Sequence, residues 1–179
     1  MSKETINVDE LKQKFGTIKE ITCGKLTAYF RKPDLKIWRF ALKAIEKSQT
    51  EFKKSLAVNC FVAGDKELIA SPYIEDISDV IDEFVNYEDA EVDHVGNAYV
   101  VKVMDKSARF KPITIEMQTH AERNNPDDIA FKTQQNLLES MWLDGDQELR
   151  DSKNLDYYMP VLRALKDLRE KHILTIKNA

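Results

Sequence analysis

Two carboxylate pairs are the residues best spaced for chemistry. Asp79 and Asp82 lie three positions apart, and Asp144 and Asp146 flank Gly145. Either pair is close enough along the chain to share a metal ion or a proton, as general acid–base catalysis requires. The plainer reading puts the first pair on an exposed helix face and the second in a turn. Asp144-Gly145-Asp146 also lacks the loop pattern of an EF-hand. His94, His120 and His172 stand far apart, none at ligand spacing from a cysteine or another histidine, so no zinc site is expected. Cys23 and Cys60 are too few for a disulfide framework, and both are expected to be small buried hydrophobes with free thiols. No Gly-rich phosphate loop, GxSxG elbow or HExxH is present. The expectation is a non-enzymatic protein with no metal and no cofactor.

Apolar contact is the chemistry that remains. Trp38, Phe61 and Trp142 fall on apolar faces and are the candidate protein-binding residues, with a place in the core as the competing reading. The elements that must carry them can be read locally. Asn7 can cap a short helix, with Glu10 three residues on, and Gly16 can end it. Residues 17–22 and 26–31 read as a hairpin around Gly24-Lys25. Pro33 suits a helix start, and Leu35, Trp38, Leu42 and Ile45 then form one stripe. A second helix is expected to carry Phe52, Leu56, Ala57, Cys60 and Phe61 until Gly64 stops it. A third starts at Ser71-Pro72 and turns Ile74, Ile77, Ile81, Phe84 and Val85 inward.

The later half follows the same order. Strands are expected near 98–104 and 108–111, then a short helix after Pro112 through Met117 and Ala121. Asn125-Pro126-Asp127-Asp128 reads as the start of a helix bearing Ile129, Leu137, Leu138, Met141 and Trp142. A last helix near 154–173 would kink or begin at Pro160.

Three landmarks recur in order. Gly16 and Gly96 are 80 residues apart, Lys-Pro33 and Lys-Pro112 are 79 apart, and Gly64-Asp65 and Gly145-Asp146 are 81 apart. Such spacing predicts two copies of one unit, residues 1–88 and a diverged copy at 89–179. The expected class is α+β, mostly helical, a tandem repeat of a β-hairpin followed by about three helices. At each Gly-Asp pair the structural reading is a helix C′ glycine and a cap, set against a binding turn.

Hydrophobic residues make up 42% of the 179, enough for a core, and 32% are charged. No apolar run approaches the roughly 20 residues of a membrane span, and the polar start leads into no signal-peptide segment. A cytoplasmic protein, cellular or viral, is expected. Charge is uneven: no Lys or Arg lies between Lys66 and Lys102, while ten acids do. The stretches Lys25–Lys54 and Arg163–Lys177 are basic. This asymmetry suits a charged partner or self-association, against a merely solvated helix face, and disfavours nucleic acid.

The first copy resembles the helical tail assembly chaperones of tailed bacteriophages. The resemblance rests on Glu10-Leu11-Lys12-Gln13-Lys14-Phe15-Gly16, on the strand ending Ala28-Tyr29-Phe30-Arg31-Lys32-Pro33, and on Asn59-Cys60-Phe61-Val62-Ala63-Gly64-Asp65. It spans about residues 8–86, and the second copy follows more weakly over 90–170. Family members are usually single units. Ala63 stands where a second glycine is common, and Ser140-Met141 replace Asn-Cys in the second copy. The resemblance implies a binding protein of the host cytoplasm that coats the tape measure protein during tail assembly. Two linked units would gain avidity. The alternative is a virion component of capsid, neck or tail, or packaged cargo. An enzyme built from scattered residues stands further off.

Overall fold

A computed structural model describes residues 6–70, 72–83 and 85–168. The chain is α+β and divides into two compact units, Met1–Asn86 and Tyr87–Ala179. Ser71, Phe84, the Asp82 side chain, His172 and the end of the last expected helix lie outside the described residues.

In the first unit, α1 (Val8–Phe15) is capped by Asn7, whose Oδ1 accepts from the N–H groups of Asp9 and Glu10 at 3.1 and 3.3 Å. Its Nδ2 donates to Glu10 Oε1 at 2.8 Å, so the expected partnership runs through side chains. Strands β1 (Ile18–Cys23) and β2 (Leu26–Arg31) pair antiparallel around Gly24-Lys25, as expected. Pro33 lies before the helix and not in its first turn: Asp34 caps α2 (Leu35–Ile45), its Oδ1 accepting from Ile37 N–H at 2.8 Å. Helix α3 (Gln49–Cys60) follows from a Ser48 cap.

The chain then departs from the expected pattern. Phe61 is not helical: Phe61–Gly64 forms β3, which pairs antiparallel with β2 and gives a sheet of order β1-β2-β3. A 3-10 turn (Lys66–Ile69) leads to α4 (Ile74–Asp82). The core joins Ala28 and Phe30 of the sheet to Trp38 and Ala41, to Phe52, Leu56, Ala57 and Cys60, and to Ile74, Ile77 and Ile81. The stripe on α2 is rotated from the expected one. Ile37 and Ala41 are buried with Leu35 and Trp38, whereas Ile45 is 44% exposed.

The second unit opens with a strand that the sequence reading missed. Strands β4 (Glu91–Val95), β5 (Ala98–Val103), β6 (Lys106–Phe110) and β7 (Trp142–Gly145) form an antiparallel sheet in that order. Between β6 and β7 run α5 (Ile115–Arg123) and α6 (Lys132–Met141). The expected helix start at Asn125 is instead a turn. Asn125 Oδ1 accepts from Ile129 N–H at 2.8 Å, and Asp128 and Phe131 take positive φ of 46° and 63°. The helix therefore begins only at Lys132, leaving Ile129 outside it and 44% exposed, and it ends before Trp142. After a 3-10 turn (Gln147–Arg150), α7 (Leu155–Ala164) passes through Pro160 and does not begin there; a 3-10 turn at Leu165–Asp167 follows it.

Met104 turns the β5–β6 hairpin with φ 52°, a conformation that costs an L-residue about 1–2 kcal/mol. Its side chain is 53% exposed, so little packing is at stake. Met104→Gly is expected to stabilise the protein by about 0.5 kcal/mol, the relief of strain less the entropy of glycine. A rise in urea midpoint at unchanged m-value would record it.

The cysteines also divide. Cys60 is buried, as expected, but Cys23, at the end of β1, is exposed. Burial pushes the Cys60 thiol up to about 12, against the opposing pull of Arg31 and with a smaller push from Asp34. It stays protonated and shielded at neutral pH. A thiol-reactive dye is expected to label Cys23 alone in native buffer and both cysteines in denaturant. Rapid native labelling of both would contradict the packing of α3.

Candidate interaction surface

Three of the four paired carboxylates, those of Asp79, Asp144 and Asp146, are taken up in local structure. Asp144, on β7, is bridged by the Arg109 guanidinium, with Nε to Oδ1 at 2.8 Å. That hydrogen bond holds its carboxyl below the ordinary range. Asp146 turns elsewhere: its Oδ2 accepts from Ser107 N–H at 2.8 Å. Asp79 pairs with Lys53 at 2.8 Å. His94 lies on β4 with its ring 4.8 Å from that of Tyr99, and the His120 ring meets Asn124 at 2.9 Å. Among the described residues no three His, Cys, Asp or Glu side chains gather as a metal site. Nor, among those residues, is any helix long and apolar enough to cross a membrane.

Gly64-Asp65 and Gly145-Asp146 are not helix C-caps. Each pair ends the last strand of its sheet and clasps the hairpin. Asp65 N–H donates to Thr27 O at 2.8 Å, and Thr27 N–H donates to Asp65 Oδ2 at 2.8 Å. Asp146 N–H donates to Ser107 O at 2.9 Å, with the matching bond from Ser107 N–H. Neither aspartate caps the 3-10 turn that follows it with its side chain. The glycines permit the approach, since a Cβ on Gly64 would meet Thr27 O and lie 2.6 Å from Ala28 Cα.

The three candidate contact residues are not brought to one place. Trp38 is buried on α2, its ring 5.7 Å from Phe52, and belongs to the core. Phe61 and Trp142 are half-buried, one on β3 and one on β7. Phe61 stands edge-on to Phe30 at 5.8 Å and 78°, and Trp142 edge-on to Phe110 at 5.4 Å and 87°. The Arg150 guanidinium covers Trp142 at 5.0 Å. Both rings brace the closing strand against a fully buried phenylalanine.

The more open apolar feature lies between α2 and α3 and was not foreseen. Phe40, Lys43, Ala44 and Lys47 repeat at helical spacing on α2 and just beyond it. Lys54, Ser55, Val58 and Asn59 do the same on α3. Together they wall a groove of about 450 Å³. Phe40 is 62% exposed there and Val58 43%. The signal in the sequence was that α2 is apolar on more than the one face a core requires. In the second unit, a hollow of about 410 Å³ is lined by Ile113, Phe131, Leu137 and Leu162 with Arg163 and Lys166.

Comparison with known proteins gave no match to a family model, a curated protein or a solved structure.

Proposed function

We propose that this chain is a phage morphogenesis protein of the tail assembly chaperone kind, built from two copies of one unit, that binds the tape measure protein during tail assembly and performs no catalysis. The observation that carries the reading is the recurrence of the resemblance-bearing segment. Asn59–Asp65 closes the first sheet, and Ser140–Asp146, 81 residues on, closes the second in the same way. Both closures have a register shift just before the phenylalanine, an edge-on aromatic pair and an aspartate clasp. Duplication accounts for this agreement more simply than independent origin. An exposed apolar groove between paired helices suits binding to a helical client.

Mass spectrometry of purified virions beside infected-cell lysate, with a pull-down on this protein, tests the proposal. Absence from virions and co-purification of the tape measure protein are expected. Stoichiometric retention in virions would favour a structural or packaged role instead. No phage partner in either sample would end the reading.

A further inference from the structure

The groove between α2 and α3 carries more information than its apolarity. Lys43 and Lys47 rim it on one side and Lys54 on the other, while Glu51, 3.9 Å from Lys54, is its single lining acid. Neither Lys43 nor Lys47 has an ion-pair partner among the described residues. On the α3 wall, Ser55 Oγ is buried and has no hydrogen-bond partner among the described residues. Phe40 and Val58 supply exposed apolar surface beside these charges. The walls are helices, whose backbone groups are already paired within themselves. An extended segment lying there would leave its own N–H and C=O groups unmatched, whereas a helix brings them satisfied.

We propose that this groove docks an amphipathic helix with acidic flanks, its apolar side chains set against Phe40 and Val58 and its carboxylates against Lys43, Lys47 and Lys54. This rests on reading the chain as a binding protein, and it commits that reading to one face and one partner chemistry. Charge complementarity selects the partner and speeds encounter, while the buried apolar contact holds it.

The test uses the full chain and two dye-labelled synthetic helices with leucines at i, i+3, i+4 and i+7, one flanked by glutamates and one by lysines, read by fluorescence anisotropy. The acidic helix is expected to bind, more weakly at high salt, and the basic one to bind at least about tenfold more weakly. The double variant Lys43→Glu, Lys47→Glu should reverse that preference, and Phe40→Ala should weaken both helices. All three substituted side chains are exposed, so circular dichroism should find the variants folded. Equal binding of the two helices, or a preference untouched by charge reversal, would overturn the proposal. So would a concentration-dependent dimer in light scattering that the same double variant abolishes, because the face would then serve a second copy. If the double variant still co-purifies with the tape measure protein, the function stands and this site falls. If the acidic helix binds as described but no tape measure protein is captured, the site stands and the function falls.

Discussion

Alanine at Gly64 or Gly145 is expected to cost about 3–5 kcal/mol, enough to threaten the folded state of a domain this size. Two penalties combine. The glycines have φ of 107° and 130°, where a Cβ is strained by about 1–3 kcal/mol. The added carbon would also run into backbone. At Gly64 it meets Thr27 and Ala28, and at Gly145 it meets Ser107 and Ala108. Those atoms sit in a hydrogen-bonded ladder and cannot rotate aside as a side chain could, so overpacking adds about 1–3 kcal/mol. Gly16 provides the control. Its φ of 76° is also positive, yet nothing lies within 4 Å of the position its Cβ would take. Gly16→Ala should therefore cost the backbone strain alone, about 1–3 kcal/mol, with no overpacking added to it. Urea unfolding of the three variants decides the matter; equal losses would mean that close approach contributes nothing.

The second large effect is expected at the phenylalanines beneath the closing strands. Phe30 and Phe110 are fully buried, and truncation to alanine should cost about 3–5 kcal/mol each through lost transfer energy and the cavity left behind. Trp142→Ala and Phe61→Ala remove half-buried rings and should cost roughly half as much. The comparison also bears on the aromatic residues first considered for binding. If Trp142→Ala leaves stability untouched, the ring is not a brace for β7, and a contact role returns. A loss of about 2 kcal/mol at unchanged m-value would make it structural.

The sequence made some of this legible and concealed the rest for physical reasons. The Asn7 cap, the Gly16 stop and the β1–β2 hairpin are local signals, and these survive in the fold. Strands β3 and β7 are four residues long and follow a helix with no breaker, so Phe61 and Trp142 read as one more helical turn. Their strand character comes from pairing with β2 and β6, partners more than 30 residues away. At Asn125-Pro126 the capping chemistry is legible in the sequence but the structure it makes is not. The asparagine organises a turn, and two positive-φ residues delay the helix to Lys132. Strand β4 escaped because its side chains are mostly exposed, Val95 included, which blurs the alternation a half-buried strand would display.

For the site the limit was different. Aromatic residues on apolar stripes cannot announce whether they pack or bind, and Trp38 packs. Residues such as Phe40, on the far side of an already amphipathic helix, are the ones that packing leaves over.

The aspartate clasp also bears on the order in which each unit assembles. Thr27 and Asp65 are 38 residues apart, and Ser107 and Asp146 are 39 apart. Each clasp joins the ends of a loop that contains two helices, while the hairpin and the helices need only near neighbours. Closing such a loop is entropically costly until the helices shorten it, so the closing strand, β3 in the first unit and β7 in the second, should dock last, at nearly equal loop-closure cost. Substitutions at Gly64, Asp65, Gly145 or Asp146 would then act mainly on the unfolding rate and leave the early folding steps little changed.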